Sequence, residues 1–219
     1  MRNQIANYQG AHLVASQETP NQILWAVRIT DHPEEAIIMK MADAVHNLRS
    51  ALDHAAVSTV ILNEKSPKGV YFPIAESADF LDEMIRRKNF YRASNEAVAL
   101  LKRIAPFRGG NALVRGLHDL DVLDKHNDLI PTFQAANMPG TLFIGTNQIA
   151  NMTSNLSDGS KWISAPGTGA AIMRPIPLRL VVQFEESQPF GRNEIVPVLA
   201  RLAQEVGGIV EAFAALYRR

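Results

Sequence analysis

Two short stretches of this 219-residue chain place ionisable side chains inside apolar patterns, and they are where chemistry can be argued. The first is "NLRSALDH" (residues 47–54), and the second is "LDVLDKHND" (residues 120–128). An imidazole exchanges protons near neutral pH, a guanidinium stabilises developing negative charge, and a carboxylate orients either group. The candidate residues are His46, Arg49, Ser50, Asp53 and His54 around the first stretch, and Asp124, Lys125 and His126 in the second.

The first stretch is predicted to lie on one long helix. Residues 34–63 contain no glycine or proline, and apolar residues recur there at alternating steps of four and three. On such a helix His46, Arg49 and Asp53 share one flank beside the apolar stripe, whereas His54 lies on a different side. Arg49 and Asp53 are therefore expected to pair at the i, i+4 spacing.

The second stretch is predicted to put a carboxylate into the core. A helix over residues 111–130 has an apolar stripe of leucines that begins at Leu113, and Asp124 falls in the same stripe. A buried carboxylate without a cationic partner costs several kcal/mol or takes up a proton. Arg49 is the first candidate for that partner, because its guanidinium can bind a carboxylate bidentately.

Two interpretations of these groups stay open. In the first, they form a buried structural network that fixes how two helices cross, and the protein acts by binding a partner. Its ion pairs involve Arg49, Asp53 and Asp124, and its further members are Lys125, His126 and His46. In the second, side chains from both helices bind the metal of a hydrolase, with the ligands His46, Asp53, Asp124 and His126. The chain has no H-E-x-x-H or E-x-x-H motif, so no metal site is assigned.

Composition narrows the class of protein. Lysine plus arginine and aspartate plus glutamate number 22 each, so no overall field attracts nucleic acid or an anionic membrane. The chain has no cysteine, no apolar signal sequence at its start and no run of 18 apolar residues. A cytoplasmic protein without a membrane partner is expected. No nucleotide-binding or other cofactor motif occurs, so no cofactor is expected.

The predicted fold class is α+β, in a single domain over residues 1–219. A helical core covers about 34–130, and a strand-rich part at 131–192 forms a small antiparallel sheet. An amphipathic helix over 194–217 closes the fold.

Three polar residues mark the predicted starts of helices. Asn193 is the candidate N-cap of the closing helix, and shorter helices are expected to begin at Ser77 and Ser94. The basic run "RRK" at 86–88 is expected on a solvated helix face.

Three motifs together resemble a recurring arrangement in uncharacterised bacterial and phage proteins. They are "LRSALDH" (48–54), "FPI" (72–74) and "LHDLDVLDKHNDL" (117–129), so the resemblance covers roughly residues 37–130. It implies a bacterial or phage protein and brings no assigned activity with it.

The order Arg49-Ser50-x-x-x-His54 is similar to the arginine–polar–x₃–histidine motif of HEPN-type ribonucleases, which are α-helical. This resemblance implies metal-independent cleavage of RNA, with the 2′-hydroxyl as the internal nucleophile. Arg49 would stabilise charge on the scissile phosphate, His54 would transfer protons and Ser50 would assist. Asp53, beside Arg49, completes the candidate catalytic set. The family usually joins two copies of the motif across a homodimer. Whether the protein is an enzyme stays open at this stage.

Overall fold

The computed structural model describes residues 11–19, 22–29, 35–125, 131–135, 141–144, 147–151, 161–164, 176–178 and 180–218, with side chains described for 38–125 and 182–218. The chain divides into two compact units. The strand unit consists of residues 1–38 and 131–185, and the helical unit consists of residues 39–130 and 186–219. A single domain over the whole chain stays a prediction.

The largest sheet of the strand unit contains four strands. Strand β1 (Ala11–Thr19) pairs antiparallel with β2 (Gln22–Ile29), the next strand along the chain. Two short strands extend this pair on its two sides, β6 (Lys161–Ser164) next to β2 and β7 (Ile176–Leu178) next to β1. Strands β1 and β2 can pair directly because a short connection is sufficient to join two antiparallel strands.

The remaining described strands form two separate pairs. Strand β3 (Pro131–Ala135) pairs with β8 (Leu180–Phe184), and β4 (Thr141–Ile144) pairs with β5 (Asn147–Asn151), all antiparallel. The prediction of one small antiparallel sheet is not supported in that form. The described strands of this part of the chain belong to three different sheets. The alternation of apolar residues predicts where a strand lies but not which strand it pairs with, because pairing joins segments that are far apart in the sequence.

The longest helix, α1, spans Glu35–Leu62 and confirms the predicted single long helix. Its continuity is expected from a sequence free of glycine and proline, the two residues that most disfavour a helix interior. Met41, Val45 and Leu52 lie buried along one face. The polar groups of "NLRSALDH" are therefore carried on a rigid, unbroken element.

Two shorter helices follow in the helical unit. Helix α2 spans Leu81–Arg87, later than predicted, because Ser77 precedes a short 3₁₀ turn and makes no capping hydrogen bond. Helix α3 spans Asn95–Ile104, which agrees with the predicted start at Ser94. The Ser94 hydroxyl caps the helix by accepting a hydrogen bond from the amide of Ala97 at 3.2 Å.

Helices α4 (Ala112–Lys125) and α5 (Ile195–Ala215) complete the helical unit and contact each other. The prediction of Asn193 as the N-cap of α5 is wrong. Its side-chain amide donates to the carbonyls of Phe190 and Gly191 in the preceding loop, and Glu194 occupies the N-cap position.

Three aromatic side chains from distant parts of the sequence meet in the core of the helical unit. The ring of Phe213 on α5 contacts Phe72 and Phe90 edge-on, with centroids 6.4 and 5.9 Å apart. All three are buried, and edge-on pairs add to the stabilisation from burial. The α-rich character of the predicted fold is confirmed. Among the described residues, none of the helices combines the length and apolarity needed to cross a membrane.

Candidate functional site

Arg49 ties helix α1 to the "FPI" segment. Arg49 is buried, with 8% of its surface exposed, and its Nη1 donates to Oδ1 of Asp53 at 2.8 Å, which confirms the predicted i, i+4 pair. The same Oδ1 accepts the backbone amide of Phe72 at 2.8 Å, and Nη2 of Arg49 lies 3.4 Å from the Phe72 carbonyl oxygen. The arginine and the aspartate thus satisfy the backbone of a buried extended segment, which is a structural role.

Asp121 is the most buried carboxylate of the described residues. It lies on α4 with 2% of its side chain exposed, and it accepts from Nζ of Lys125 at 2.6 Å and pairs with Nδ1 of His46 at 3.1 Å. Burial alone would raise the pKa of Asp121. The hydrogen bonds and positive charges of Lys125 and His46 outweigh burial, so the pKa lies below its ordinary value. This pair of contacts joins α1 to α4.

The expectation that Asp124 is the buried carboxylate and pairs with Arg49 is wrong. Asp124 is half-buried, and no hydrogen bond or ion pair of the described residues joins it to Arg49. The buried face of α4 runs through Val114 and Leu117, whereas Leu113 is only partly buried. The helix is therefore rotated from the predicted stripe, and Asp121 takes the core position instead.

Two further residues of the predicted network, Lys125 and His46, take part in the observed contacts. Lys125 and His46 are in the network, although they serve Asp121 and not Asp124. His126 lies outside the described residues.

The predicted catalytic residues do not converge within one copy of the chain. Helix α1 is continuous through Arg49 and His54, so five residues separate their side chains by roughly 140° around the axis. His54 is exposed and Ser50 is half-buried. The geometry of a single copy therefore leaves Arg49 with Asp53 and Phe72, and leaves His54 in solvent.

His118 lies on α4 and is partly buried. Its Nδ1 atom is buried and makes no hydrogen bond among the described residues. Burial, and after it the positive charges of Arg49 and Arg115, lower the pKa of His118, against the smaller opposing effects of Asp119 and Asp121. The imidazole is therefore held in its neutral form, in which one nitrogen donates and the other accepts.

His118 lines a cleft of about 290 Å³ within the helical unit, which sequence analysis missed. The cleft lies among α2, α4 and the segment after "FPI". Its lining consists of Ile74, Glu76, Phe80, Glu83, Met84, Arg87, Arg115 and His118. These residues come from three separate segments, so no local spacing could have revealed the cleft.

Arg115 is the structural centre of the cleft wall. Its Nε and Nη2 donate to the two carboxylate oxygens of Asp119 at 3.1 and 2.7 Å, and Nη2 also donates to Glu76 at 2.8 Å. Nη1 donates to the carbonyl of Ala75 at 3.0 Å. Because these bonds occupy both ends of the guanidinium, Arg115 acts mainly as a clamp that holds residues 75 and 76 against α4.

No set of three or more metal-competent side chains occurs within the part of the chain that the structure describes. The hydrolase interpretation therefore finds no ligand set there. Comparison with models of protein families, with curated proteins and with solved structures finds no match for this chain.

Proposed function

We propose that the helical unit is a non-enzymatic binding module, in which the Arg49 and Asp121 clusters are structural and the cleft beside His118 takes a small ligand. The observation that carries the proposal is the cleft itself, whose wall combines the His118 side chain with the apolar side chains of Phe80 and Met84. An imidazole in a largely apolar wall is a polar group that can fix the orientation of a bound ligand.

The charges of the cleft favour a ligand without net charge. The two arginines are paired with the two glutamates, Arg115 with Glu76 at 2.8 Å and Arg87 with Glu83 at 3.6 Å. His118 adds no charge in its neutral form. An anionic or cationic ligand would have to break one of these pairs, whereas a neutral one would not.

The apolar lining favours a flat ligand of one or two rings. Phe80 exposes 54% of its surface, and Ile74 and Met84 supply further apolar wall. Aromatic faces pair with planar rings, and a volume of about 290 Å³ is at the small end of the range for ligand pockets. We therefore expect a planar heterocycle that can hydrogen-bond to an imidazole nitrogen.

The test uses neutral heterocycles as probes. Cytosine, adenine and nicotinamide are titrated into ¹⁵N-labelled protein, and amide shifts are expected at residues 74–87 and 115–118. Replacing His118 by leucine or Phe80 by alanine should weaken binding by about fivefold or more. Arg103→Gln, an exposed cation outside the cleft lining, should leave binding unchanged. Absence of binding for all three probes, or shifts confined to other residues, would contradict the proposal.

A second candidate function is the metal-independent ribonuclease of HEPN type. The observation that favours it is the exposure of His54, which leaves its imidazole accessible to RNA and to a second copy of the chain. In this proposal a homodimer supplies the convergence of Arg49 with His54 that one copy lacks. RNA incubated with the protein in EDTA should then yield cyclic phosphate ends, and His54→Ala should abolish cleavage. Unchanged cleavage in that variant would eliminate it.

We also propose that the protein acts in the cytoplasm. The support is a composition without cysteine. Fractionation of cells expressing the tagged protein would test this location.

A further inference from the structure

A surface of the helical unit combines exposed aromatic rings with cations, and we call it the basic–aromatic patch. Two segments form it, residues 64–71 and residues 86–92. Its members are Lys65, Lys68, Tyr71, Arg86, Lys88, Tyr91 and Arg92.

The patch is locally basic in a chain without net charge. Residues 64–71 and 86–92 contain six lysines and arginines, with Glu64 as the single carboxylate, whereas the whole chain has 22 of each sign. One of the six, Arg87, is partly neutralised by Glu83 at 3.6 Å. The predicted solvation of "RRK" is confirmed for Arg86 and Arg87, which are exposed. A local concentration of cations attracts a polyanion even when the total charge is zero.

The two tyrosines of the patch are not explained by packing. Tyr71 exposes 51% of its surface and Tyr91 exposes 55%. Each ring has a cation beside it, with Nζ of Lys88 at 5.4 Å from the Tyr71 centroid and the Arg92 guanidinium carbon at 5.6 Å from that of Tyr91. Aromatic faces next to cations match a chain that alternates flat bases and phosphates.

Arg92 and Asn89 hold the two segments together. Nη1 of Arg92 donates to the carbonyls of Ser66 and Lys68 at 3.1 and 3.0 Å, and Nη2 donates to Asn89 at 3.1 Å. Asn89 in turn donates to the carbonyl of Gly69 at 3.0 Å. This network fixes the loop that carries Tyr71 against the turn that carries Tyr91, so little ordering is needed when a ligand binds.

We infer that the basic–aromatic patch binds single-stranded nucleic acid, with bases stacked on Tyr71 and Tyr91 and phosphates beside the lysines. A single strand is favoured over a duplex because only unpaired bases expose the faces that stack on aromatic side chains. It is favoured over an acidic peptide because carboxylates would use the cations and leave both tyrosine faces unoccupied. The inference is independent of the proposed ligand in the cleft.

The test is fluorescence anisotropy of a labelled 12-nucleotide oligouridylate with the full chain. Binding should weaken as the salt concentration rises from 50 to 200 mM. The logarithm of the association constant should fall with the logarithm of the salt concentration, with a slope of about −0.7 for each phosphate that is neutralised. Tyr71→Ser together with Tyr91→Ser should weaken binding by roughly thirtyfold or more, because each lost stacking contact costs at least about 1 kcal/mol. Lys68→Gln should reduce the salt slope by about 0.7.

Matched variants and competitors make each result decisive. Phe80→Ser removes an exposed aromatic from the cleft and should leave oligouridylate binding unchanged, which separates this inference from the proposed function. The circular dichroism spectrum of the double tyrosine variant should match that of the original chain, since both tyrosines are exposed. Absence of binding at 50 mM salt would overturn the inference. Equal binding of polyglutamate would overturn it as well and indicate an acidic protein partner. Tyrosine variants that bind oligouridylate as tightly as the original chain would also overturn it, since bases would then not stack on Tyr71 and Tyr91.

Discussion

Asp121 and Arg49 are both buried, but their ion-pair partners differ in exposure to solvent. This difference determines how much stability is lost when one member of each pair is replaced. Asp121 is buried, but its partners Lys125 and His46 are 58% and 56% exposed, so water can solvate both if the carboxylate is removed. Arg49 is buried, and its partner Asp53 is the only carboxylate that pairs with it among the described residues. Loss of Asp53 would leave a buried guanidinium without a countercharge.

We therefore predict opposite tolerance at the two aspartates. Asp53→Ala should destabilise the protein by about 2–4 kcal/mol, because it strands Arg49 and removes the acceptor of the Phe72 amide. Asp121→Leu should cost under about 1 kcal/mol, since apolar contact replaces a desolvated carboxylate. Urea unfolding of the two variants measures the difference, and equal losses would contradict it.

His118 should make the stability depend on pH in the mildly acidic range. Because burial and the neighbouring arginines lower its pKa from the ordinary value of 6.5, the unfolded chain takes up this proton before the folded protein does. The free energy of unfolding should therefore be highest above pH 6.5 and fall as the pH drops from there towards the lowered pKa. The contribution of Asp121 is separate, because its pKa is lowered from 3.8 and its loss begins only in that more acidic range.

Urea unfolding of the original chain and of His118→Leu at pH 7.5, 6.5 and 5.5 measures this dependence. The variant should lose much of the decline between pH 6.5 and 5.5. His54→Ala removes an exposed histidine instead and should preserve the decline. The same decline in His118→Leu as in the original chain would show that another group is responsible.

At the scale of secondary structure, two serines at predicted helix starts have different roles. Ser94 makes its capping bond to Ala97, whereas Ser77 makes none. Both residues have extended backbone angles, so conformation alone does not separate them. The capping bond satisfies one of the free amides at the first turn of α3.

We predict that Ser94→Ala costs about 1 kcal/mol and that Ser77→Ala costs only a few tenths. Thermal unfolding monitored by circular dichroism provides the comparison. Similar shifts in melting temperature for the two variants would mean that the Ser94 cap does not stabilise α3.

At the scale of the whole molecule, the helical unit is assembled from two segments of chain separated by residues 131–185. Helix α5 belongs to the second segment, and its Phe213 ring packs against Phe72 and Phe90 of the first segment. The loop that precedes α5 also contacts α4, where the ring of Phe190 lies directly over Gly116. A side chain at position 116 would occupy the space that this ring fills.

Two glycine substitutions test this packing against helix propensity. Alanine is favoured over glycine in a helix by about 1 kcal/mol, so Gly207→Ala on α5, where the added methyl group meets open space, should stabilise the protein by up to that amount. Gly116→Ala should instead destabilise it by roughly 1–3 kcal/mol, because its methyl group meets the Phe190 ring. Chemical denaturation measures both. Stabilisation in both variants would show that Phe190 moves away at little cost.

The sequence alone predicted the features that depend on neighbouring residues. The long helix α1, the Arg49–Asp53 pair and the start of α3 next to Ser94 all follow from the local sequence. Such local patterns are set by the geometry of the helix itself and need no knowledge of what packs against it.

Tertiary structure alone decided which polar groups are buried and which surfaces face one another. The predicted core carboxylate was Asp124 with Arg49 as its partner, whereas the structure places Asp121 against the core with Lys125 and His46 as its partners. The reason is the rotation of α4 about its axis. The cleft beside His118 and the basic–aromatic patch each join segments far apart in the sequence. Burial and long-range contact are properties of the packed chain, so the spacing of residues along it does not contain them.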